Sequence, residues 1–386
     1  MSDSQKQAIN ASLSRIHNEY RAEKEKRKFE AAFINLRPLL GNFNWAEFLF
    51  LIGGAQAGKS YAIIDFFVSQ FMKDGTPFYW FRLTDAQCKI LLQANASKLI
   101  DPDIRRRYNL ELVTNGNEVF VTEYIEKTIK KKNGDIEVKQ VEDKKKRRLL
   151  ARVLPLSVFF KMKGAGYFDK DYEGWINVGL DEFQPEKNEK RTFDIVYAFV
   201  RSMENIARNT DGIKTKARLR VIGAANLLEE ASEILSCFEF LPETFGTYRL
   251  KKKRCVISYI EPTEKYKEMR KGSVADILLP NASMYSNKQN IDYSLVYKGP
   301  LHRPTNVIKF TKDENTWFTI WDSNIICRYN KEKKPVIAMR PYIDELFMPE
   351  MQKNIVALFD TRSFVFRNLI TFKLFQSQLE QLKPRQ

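Results

Sequence analysis

Hydrophobic positions along this chain follow two periods. Near the start, Ile9, Leu13, Ile16 and Tyr20 recur at spacings of four, three and four, which is one stripe of a helix. The other faces of that helix are charged, and "RAEKEKRK" (21–28) makes it strongly basic. Residues 1–35 are therefore expected to form an N-terminal basic helix. Two readings stand for it: a surface helix docked on the body, or an arm that touches a partner or nucleic acid.

From Trp45 the pattern changes to apolar segments alternating with amphipathic ones. "FLFLIG" (48–53) is a continuous apolar run of strand length, and "KSYAIIDFFVSQFMKDG" (59–75) reads as a helix ending at Gly75 with Lys73 in its last turn. "PFYWFR" (77–82) predicts a second strand, and "TDAQCKILLQANASKLI" (84–100) a second helix with Thr84 as its N-cap. Strand and helix alternating at this pace predict an α/β domain with a mostly parallel sheet.

Residues 110–157 interrupt the rhythm. "LELVTNGNEVFV" is a hairpin around an Asn-Gly turn, and a basic insertion at about 121–152 follows it. Eleven Lys and Arg lie between Lys127 and Arg152, so the insertion is either a solvated charged loop or a contact for phosphates. The rhythm then returns with "GWINVGLDEF" (strand), "RTFDIVYAFVRSMENIAR" (helix), "ARLRVIGAAN" (strand) and "LLEEASEILSCFEFL" (helix). Residues 263–290 read as a small linker. Beyond them "YSLVYKG", "NVIKFT", "TWFTIWD" and "NIICRYN" predict strands, and "MPEMQKNIVALFDT" and "SFVFRNLITFKLFQSQLEQL" predict closing helices. The expected division is an α/β domain over 36–262, the linker, and a C-terminal domain over 291–386.

Composition narrows the function classes. Apolar residues make up 44% of the 386, too many for a disordered chain. Lys plus Arg exceed Asp plus Glu by 64 to 48, a net charge of +16 that favours a polyanionic partner: nucleic acid first, an anionic membrane surface second. No apolar run approaches the roughly 20 residues of a bilayer span, and no signal-peptide core is present, so a soluble protein acting where it is made is expected. The cysteines (Cys88, Cys237, Cys255, Cys327) have no metal-type spacing and read as free thiols of a reducing cytosol. With only His17 and His302, neither a His-rich metal site nor a Ser-His-Asp triad is expected of this chain.

The candidate chemistry follows the first strand. Gly53, Gly58, Lys59 and Ser60 fit G-x-x-x-x-G-K-[ST] between a strand and a helix. Such a loop wraps phosphates with its own N–H groups, which requires a backbone free to turn and to come close. Gly53, Gly54, Ala55, Gln56, Ala57, Gly58, Lys59, Ser60 and Tyr61 are thus expected to cradle ATP. Lys59 would reach the β- and γ-phosphates and Ser60 would ligate Mg²⁺ at the helix N-terminus.

"INVGLDEF" supplies the acidic partner strand: Asp181 to hold Mg²⁺ through water and Glu182 to polarise the attacking water. Asn226, at the end of the next strand, is either a sensor of the γ-phosphate or a cap for the following helix. Arg208 is the preferred arginine finger toward a neighbouring subunit, with Arg201, Arg218 and Arg220 as competitors and a plain surface arginine as the alternative. Arg82, ending the second strand, is a further candidate lining residue. "KMKGAGYFDKDYEG" (161–174) reads either as a mobile pore or interface loop, with Lys161 or Lys163 on phosphate, or as a plain crossover.

With these residues in place, the chain resembles the DNA-packaging ATPases of small tailed phages of the phi-twenty-nine-like group. The resemblance is carried by "FLIGGAQAGKSYA", "FYWFR", "VLPLSVFFKMKGAGY", "VGLDEFQPEK", "IARNTDGIKTKARLRVIGAAN" and "FRNLITF", in family order over about residues 45 to 375. It implies a terminase-like motor: an ASCE-type ATPase in a ring of five identical subunits at a portal vertex in the host cytoplasm. Such a ring would drive double-stranded DNA into a prohead, touching the portal connector and, in some relatives, a structural RNA. The resemblance also implies that Lys59 and Ser60 are P-loop residues, that Asp181 and Glu182 are the Walker B pair, and that Arg208 acts in trans. It further implies a C-terminal RNase H-like α+β domain that has lost its metal carboxylates, in keeping with a lone Asp322 in "TWFTIWDSN". Two other classes compete: a cellular or plasmid translocase or helicase with the same core, and a nucleotide-gated nucleic-acid-binding scaffold.

Overall fold

The computed structural model describes residues 34–54, 57–130, 136–162, 172–184, 193–211, 217–226, 233–242, 244–274, 277, 293–308, 317–329 and 349–382. The expected N-terminal helix, most of the 161–174 loop and most of the linker lie outside the described residues. Two compact units result: Met1–Leu227 with Thr244–Lys288, and Leu228–Glu243 with Gln289–Gln386. The described residues 233–242 fall in the second unit by this division.

The first unit is built on a nine-stranded sheet in the order β10-β11-β1-β9-β8-β2-β7-β4-β3. Its strands are β1 (Phe48–Gly53), β2 (Phe78–Arg82), β3 (Glu111–Asn115), β4 (Glu118–Thr122), β7 (Arg148–Pro155), β8 (Trp175–Asp181), β9 (Arg218–Asn226), β10 (Gly246–Leu250) and β11 (Cys255–Tyr259). The six from β11 to β7 run parallel; β10, β4 and β3 are antiparallel additions at the edges. A parallel sheet is buried on both faces, which is why its strands read as unbroken apolar runs.

Helices α1 (Leu36–Asn42), α2 (Lys59–Asp74), α3 (Asp85–Ala96) and α4 (Pro102–Tyr108) accompany the sheet, and α2 and α3 pack Ile63, Phe67, Phe71, Cys88 and Leu91 in one cluster with Leu49, Leu51, Phe78 and Trp80. Other strand side chains meet α5 (Leu156–Phe159) and α6 (Ile195–Asp211), where Phe81 lies 5.2 Å from Phe159 and Phe48 lies 6.3 Å from Phe199 between ring centres. The large rings need bare backbone beside them. A Cβ at Gly179 would lie 2.3 Å from the Trp80 ring, and one at Gly223 would lie 2.6 Å from Phe50.

Several expectations need correction. The second helix begins at its Thr84–Gln87 capping box but loses helical geometry at Gln93, Ala94 and Asn95, so the Lys98–Ile100 segment is not its continuation. A separate short helix, α4, follows with Asp101 as its cap and a proline at its first turn. The basic insertion is shorter than expected: its last residues form β7, a buried neighbour of β2. What remains is a separate two-stranded ribbon, β5 (Tyr124–Lys130) and β6 (Ile136–Glu142). Sequence reading also passed over β10 and β11, whose basic connection "KKKR" hid a strand that joins the sheet beside β1. A short helix, α8 (Glu264–Arg270), follows them.

The second unit contains α7 (Glu233–Cys237), β12 (Pro304–Ile308), β13 (Trp317–Trp321), β14 (Ile325–Tyr329), β15 (Val365–Phe366), α9 (Pro349–Asp360) and α10 (Leu369–Leu382). β12, β13 and β14 form an antiparallel meander, and β15 adds in parallel beside β14. Phe318, Ile326, Phe366, Phe375 and Leu379 make its core. Two strand and helix assignments shift here. "YSLVYKG" forms a 3-10 turn with one bridge from Val296 to Phe366, and Val365–Phe366 is strand rather than the start of the last helix. Asp322 is already committed: its carboxylate accepts from the backbone N–H of His302 (3.1 Å) and Arg303 (2.9 Å), which holds it below the usual carboxylate range.

Candidate nucleotide site

Parallel strands bring their C-terminal ends to one side of the sheet, and there the candidate residues meet. Gly53 ends β1, Asn226 ends β9 directly opposite it in register, and Asp181 ends β8. Helix α2 starts at Lys59 from Gly58, whose left-handed backbone (φ 75°) suits glycine and aims the helix N-terminus into the opening. A cavity of about 330 Å³ lies between these ends, lined by Ala57 to Tyr61, Asp181, Glu182, Ala224, Ala225 and Asn226. Ala55 and Gln56 lie outside the described residues.

Lys59 is only 5% exposed. Its ammonium donates to the carbonyls of Gly53 (3.1 Å) and Gly54 (2.6 Å) and to Oδ1 of Asn226 (3.1 Å). Burial brings its pKa down to about 8, opposed by the charges of Asp181 and Glu182. An ammonium that is buried, and satisfied only by neutral oxygens, is poised for an anion. The contact with Asn226 brings the strand-end asparagine into the cavity.

Ser60 donates from Oγ to Oδ1 of Asp181 at 2.6 Å, so the hydroxyl and the carboxylate already share a point between α2 and β8. Glu182 follows in a left-handed conformation (φ 49°), unusual for a non-glycine residue, and its side chain is exposed. Arg82, at the end of β2, pairs with Oδ2 of Asp181 at 2.6 Å and with Glu182 Oε2. One guanidinium thus holds both acids. Arg82, a candidate lining residue, is not among the residues that line the cavity; it pairs with two that are, Asp181 and Glu182.

Tyr61 is fixed by residues that sequence reading did not single out. Its hydroxyl donates to Asp103 Oδ2 (2.8 Å) and accepts from Arg107 (2.8 Å), and Arg107 also pairs with Asp65 (2.9 Å). Burial and the bond to Asp103 raise the Tyr61 pKa well above the usual phenol value. The available signal was "PDIRRRY" (102–108), with Asp103 and Arg107 four apart as on one helix face, a stretch that the strand-and-helix pattern left unassigned.

The other arginines do not converge here. Arg201 pairs with Glu204 (2.8 Å) and lies over Tyr197. Arg218 and Arg220 begin β9, and roughly 3.3 Å per residue of strand puts Arg220 about 20 Å from Asn226. Arg208 lies in the last turn of α6, and its side chain is outside the described residues.

A glycine-bearing loop between a buried strand and a helix, a lysine in its mouth, and an acid-ended strand two positions away in a mostly parallel sheet make an α/β fold whose strand ends are suited to receive phosphates. One strand, β9, lies between the strand that leads into the glycine loop and the acid-ended strand. Two solved structures share this fold over nearly the whole chain. "The Phi-28 gp11 DNA packaging Motor" matches with a TM-score of 0.58 and 13% identity, over 92% of this chain and 99% of that one. "The bacteriophage Phi-29 viral genome packaging motor assembly" matches with a TM-score of 0.50 and 17% identity, over 90% of this chain and 99% of that one. No family model matches the chain. No curated protein matches it either.

Proposed function

We propose that this protein is an ATP-driven motor that translocates double-stranded viral DNA through a portal into a prohead. The observation that carries the reading is the convergence of Lys59, Ser60, Asp181 and Glu182 on one 330 Å³ cavity, in a chain that shares its fold over nine-tenths of its length with two DNA-packaging motors.

The donor set fits Mg·ATP. The buried ammonium of Lys59 has three neutral acceptors that triphosphate oxygens can replace. The hydroxyl of Ser60 and the carboxylate of Asp181 meet as hard oxygen donors, the type that suits Mg²⁺. When bound, Mg²⁺ neutralises charge on the phosphate oxygens. Main-chain N–H groups of the loop and the N-terminus of α2 orient the phosphates. Glu182 acts as general base on the attacking water, and Asn226 reports occupancy of the γ-phosphate position to β9. Arg82 releases Glu182 for this role and recaptures it when the cavity empties.

Arg208, at the end of α6, is proposed to reach the nucleotide of the next subunit in a ring of five and to stabilise charge on the transferred phosphoryl group. The second unit is proposed to be RNase H-like and inactive as a nuclease, because Asp322 is occupied by the backbone N–H groups of His302 and Arg303. Partners in this reading are duplex DNA and the portal connector, with a structural RNA as in some relatives, on the prohead in the host cytoplasm.

The test is movement on duplex DNA carrying a bound third strand. A packaging motor displaces that strand with ATP while the duplex stays paired. Unwinding of a forked duplex would instead assign the chain to the helicases, and ATP binding with neither activity would leave a scaffold. Glu182→Gln is expected to keep ATP binding while turnover falls about 10² to 10⁴-fold.

A further inference from the structure

The far end of the sheet carries a second cationic surface. β8, β9, β1 and β11 are adjacent and parallel, so their N-terminal ends lie side by side on the edge opposite the nucleotide cavity. Six cations gather there: Arg218 and Arg220 at the start of β9, and Lys251, Lys252, Lys253 and Arg254 in the turn before β11. The four in the turn are exposed. Glu47 links the two groups: its carboxylate pairs with Arg254 at 2.7 Å and lies 4.0 Å from Arg218. Two more acids stand near this edge: Asp74, which accepts from the backbone N–H of Thr76 (2.9 Å), and the exposed Glu173, which precedes β8.

Arg218 and Arg220 are ordered in a way that ordinary surface cations are not. Trp175 pairs in register with Arg218, and the two-residue pleat puts Arg220 on the same face. The guanidinium carbons lie 4.1 and 4.2 Å from the centre of the Trp175 ring. Trp175 is itself fixed, because the Tyr172 hydroxyl donates to its carbonyl at 3.0 Å and Gly174 (φ 151°) turns the chain between them. Arg220 also lies 5.5 Å from the Phe66 ring, and no carboxylate pairs with it among the described residues. Burial, then the nearby Arg218 charge, bring Arg220 down to about 10. A half-buried guanidinium without a counter-charge costs stability that an arriving anion recovers.

We propose that this edge grips the phosphate backbone of duplex DNA, with Arg218 and Arg220 as fixed contacts and Lys251 to Lys253 as an outer row. Strands about 4.8 Å apart make the four-strand edge about 14 Å long, about the length of helix axis over which one DNA strand carries four phosphates. Among the described residues no helix or ribbon projects from these strand ends, so the proposed contact is to backbone and independent of sequence. The choice of DNA rests on the packaging reading; the cationic edge does not.

The test is equilibrium binding of a short DNA duplex to the full chain over a series of salt concentrations, with Mg·ATP binding and thermal melting as controls. Two variants are compared with wild type: the exposed Lys251→Gln/Lys252→Gln/Lys253→Gln triple, and Arg218→Gln/Arg220→Gln. Each is expected to bind DNA several-fold more weakly with Mg·ATP affinity unchanged. The slope of log affinity against log salt should shrink by about 0.9 per phosphate contact removed. If the exposed triple variant keeps both affinity and slope, the proposal is overturned even should the arginine variant misfold. Displacement of the duplex by inorganic phosphate, or preference for duplex RNA of equal length, also overturns it. A wild-type chain that hydrolyses ATP but binds no duplex removes the packaging reading and this edge together. Wild-type binding with unaffected variants removes only the edge.

Discussion

At the residue scale, the nucleotide cavity is held in readiness by two cations with different duties. Lys59 is buried, and its pKa of about 8 lies near working pH. A bound triphosphate favours the charged ammonium and raises that value, so the complex takes up a proton at pH values above about 8. Mg·ATP affinity is therefore expected to fall as pH rises from about 8 toward the pKa of the bound state. Calorimetry in buffers of different ionisation enthalpy should register proton uptake at pH 8.5 and little at pH 7. Arg82 has the opposite task of keeping Asp181 and Glu182 company while no nucleotide is bound. Arg82→Ala leaves the 3%-exposed Asp181 side chain without its cation, and about 3 kcal/mol of stability should be lost. Thermal melts should show that deficit shrink when Mg·ATP is added, because Mg²⁺ then supplies the missing positive charge; a deficit that stays constant would argue against the shared role.

At the scale of elements, the sheet tolerates change at its periphery and not at its centre. The β5–β6 ribbon forms its own two-stranded sheet, and its ends meet where the N–H of Asp143 donates to the carbonyl of Glu123 at 2.8 Å. Replacing residues 124–142 by a short Gly-Ser turn should leave the melting temperature and Mg·ATP binding nearly unchanged. Gly179→Ala, by contrast, drives a methyl into the fully buried Trp80 and should cost about 1 to 3 kcal/mol by chemical denaturation.

What was legible in the sequence follows the same division. β1 and α2 were readable to the residue because an apolar run, a glycine loop and a terminal Gly75 all agree. β7 and β11 were not: "RRLLARVLPL" and "KKKRCVISY" attach basic residues to apolar runs, and charge masked the strands. The break at Gln93–Asn95 was invisible because every residue from Asp85 to Ser97 tolerates a helix. Lys59, Ser60, Asp181, Glu182 and Asn226 were legible as candidates through motif spacing and strand-end position, and the fold brings them to one cavity. The bonds that Arg82 and Asp103 make depend on elements brought together only by the fold.

At the scale of the whole molecule, the account requires subunits that complete one another's chemistry. Arg208→Ala should bind Mg·ATP normally and lose about 10³-fold or more in turnover if it serves a neighbour's site. In mixtures with wild type, activity should then fall more steeply than the variant fraction; a strictly proportional fall would assign Arg208 to its own subunit or to none. The most direct measurement is steady-state ATP turnover with and without double-stranded DNA, for wild type and for Glu182→Gln. The account predicts that DNA raises wild-type turnover several-fold and that Glu182→Gln abolishes it while still binding Mg·ATP. No affinity for Mg·ATP, or turnover that ignores DNA and survives Glu182→Gln, would contradict it.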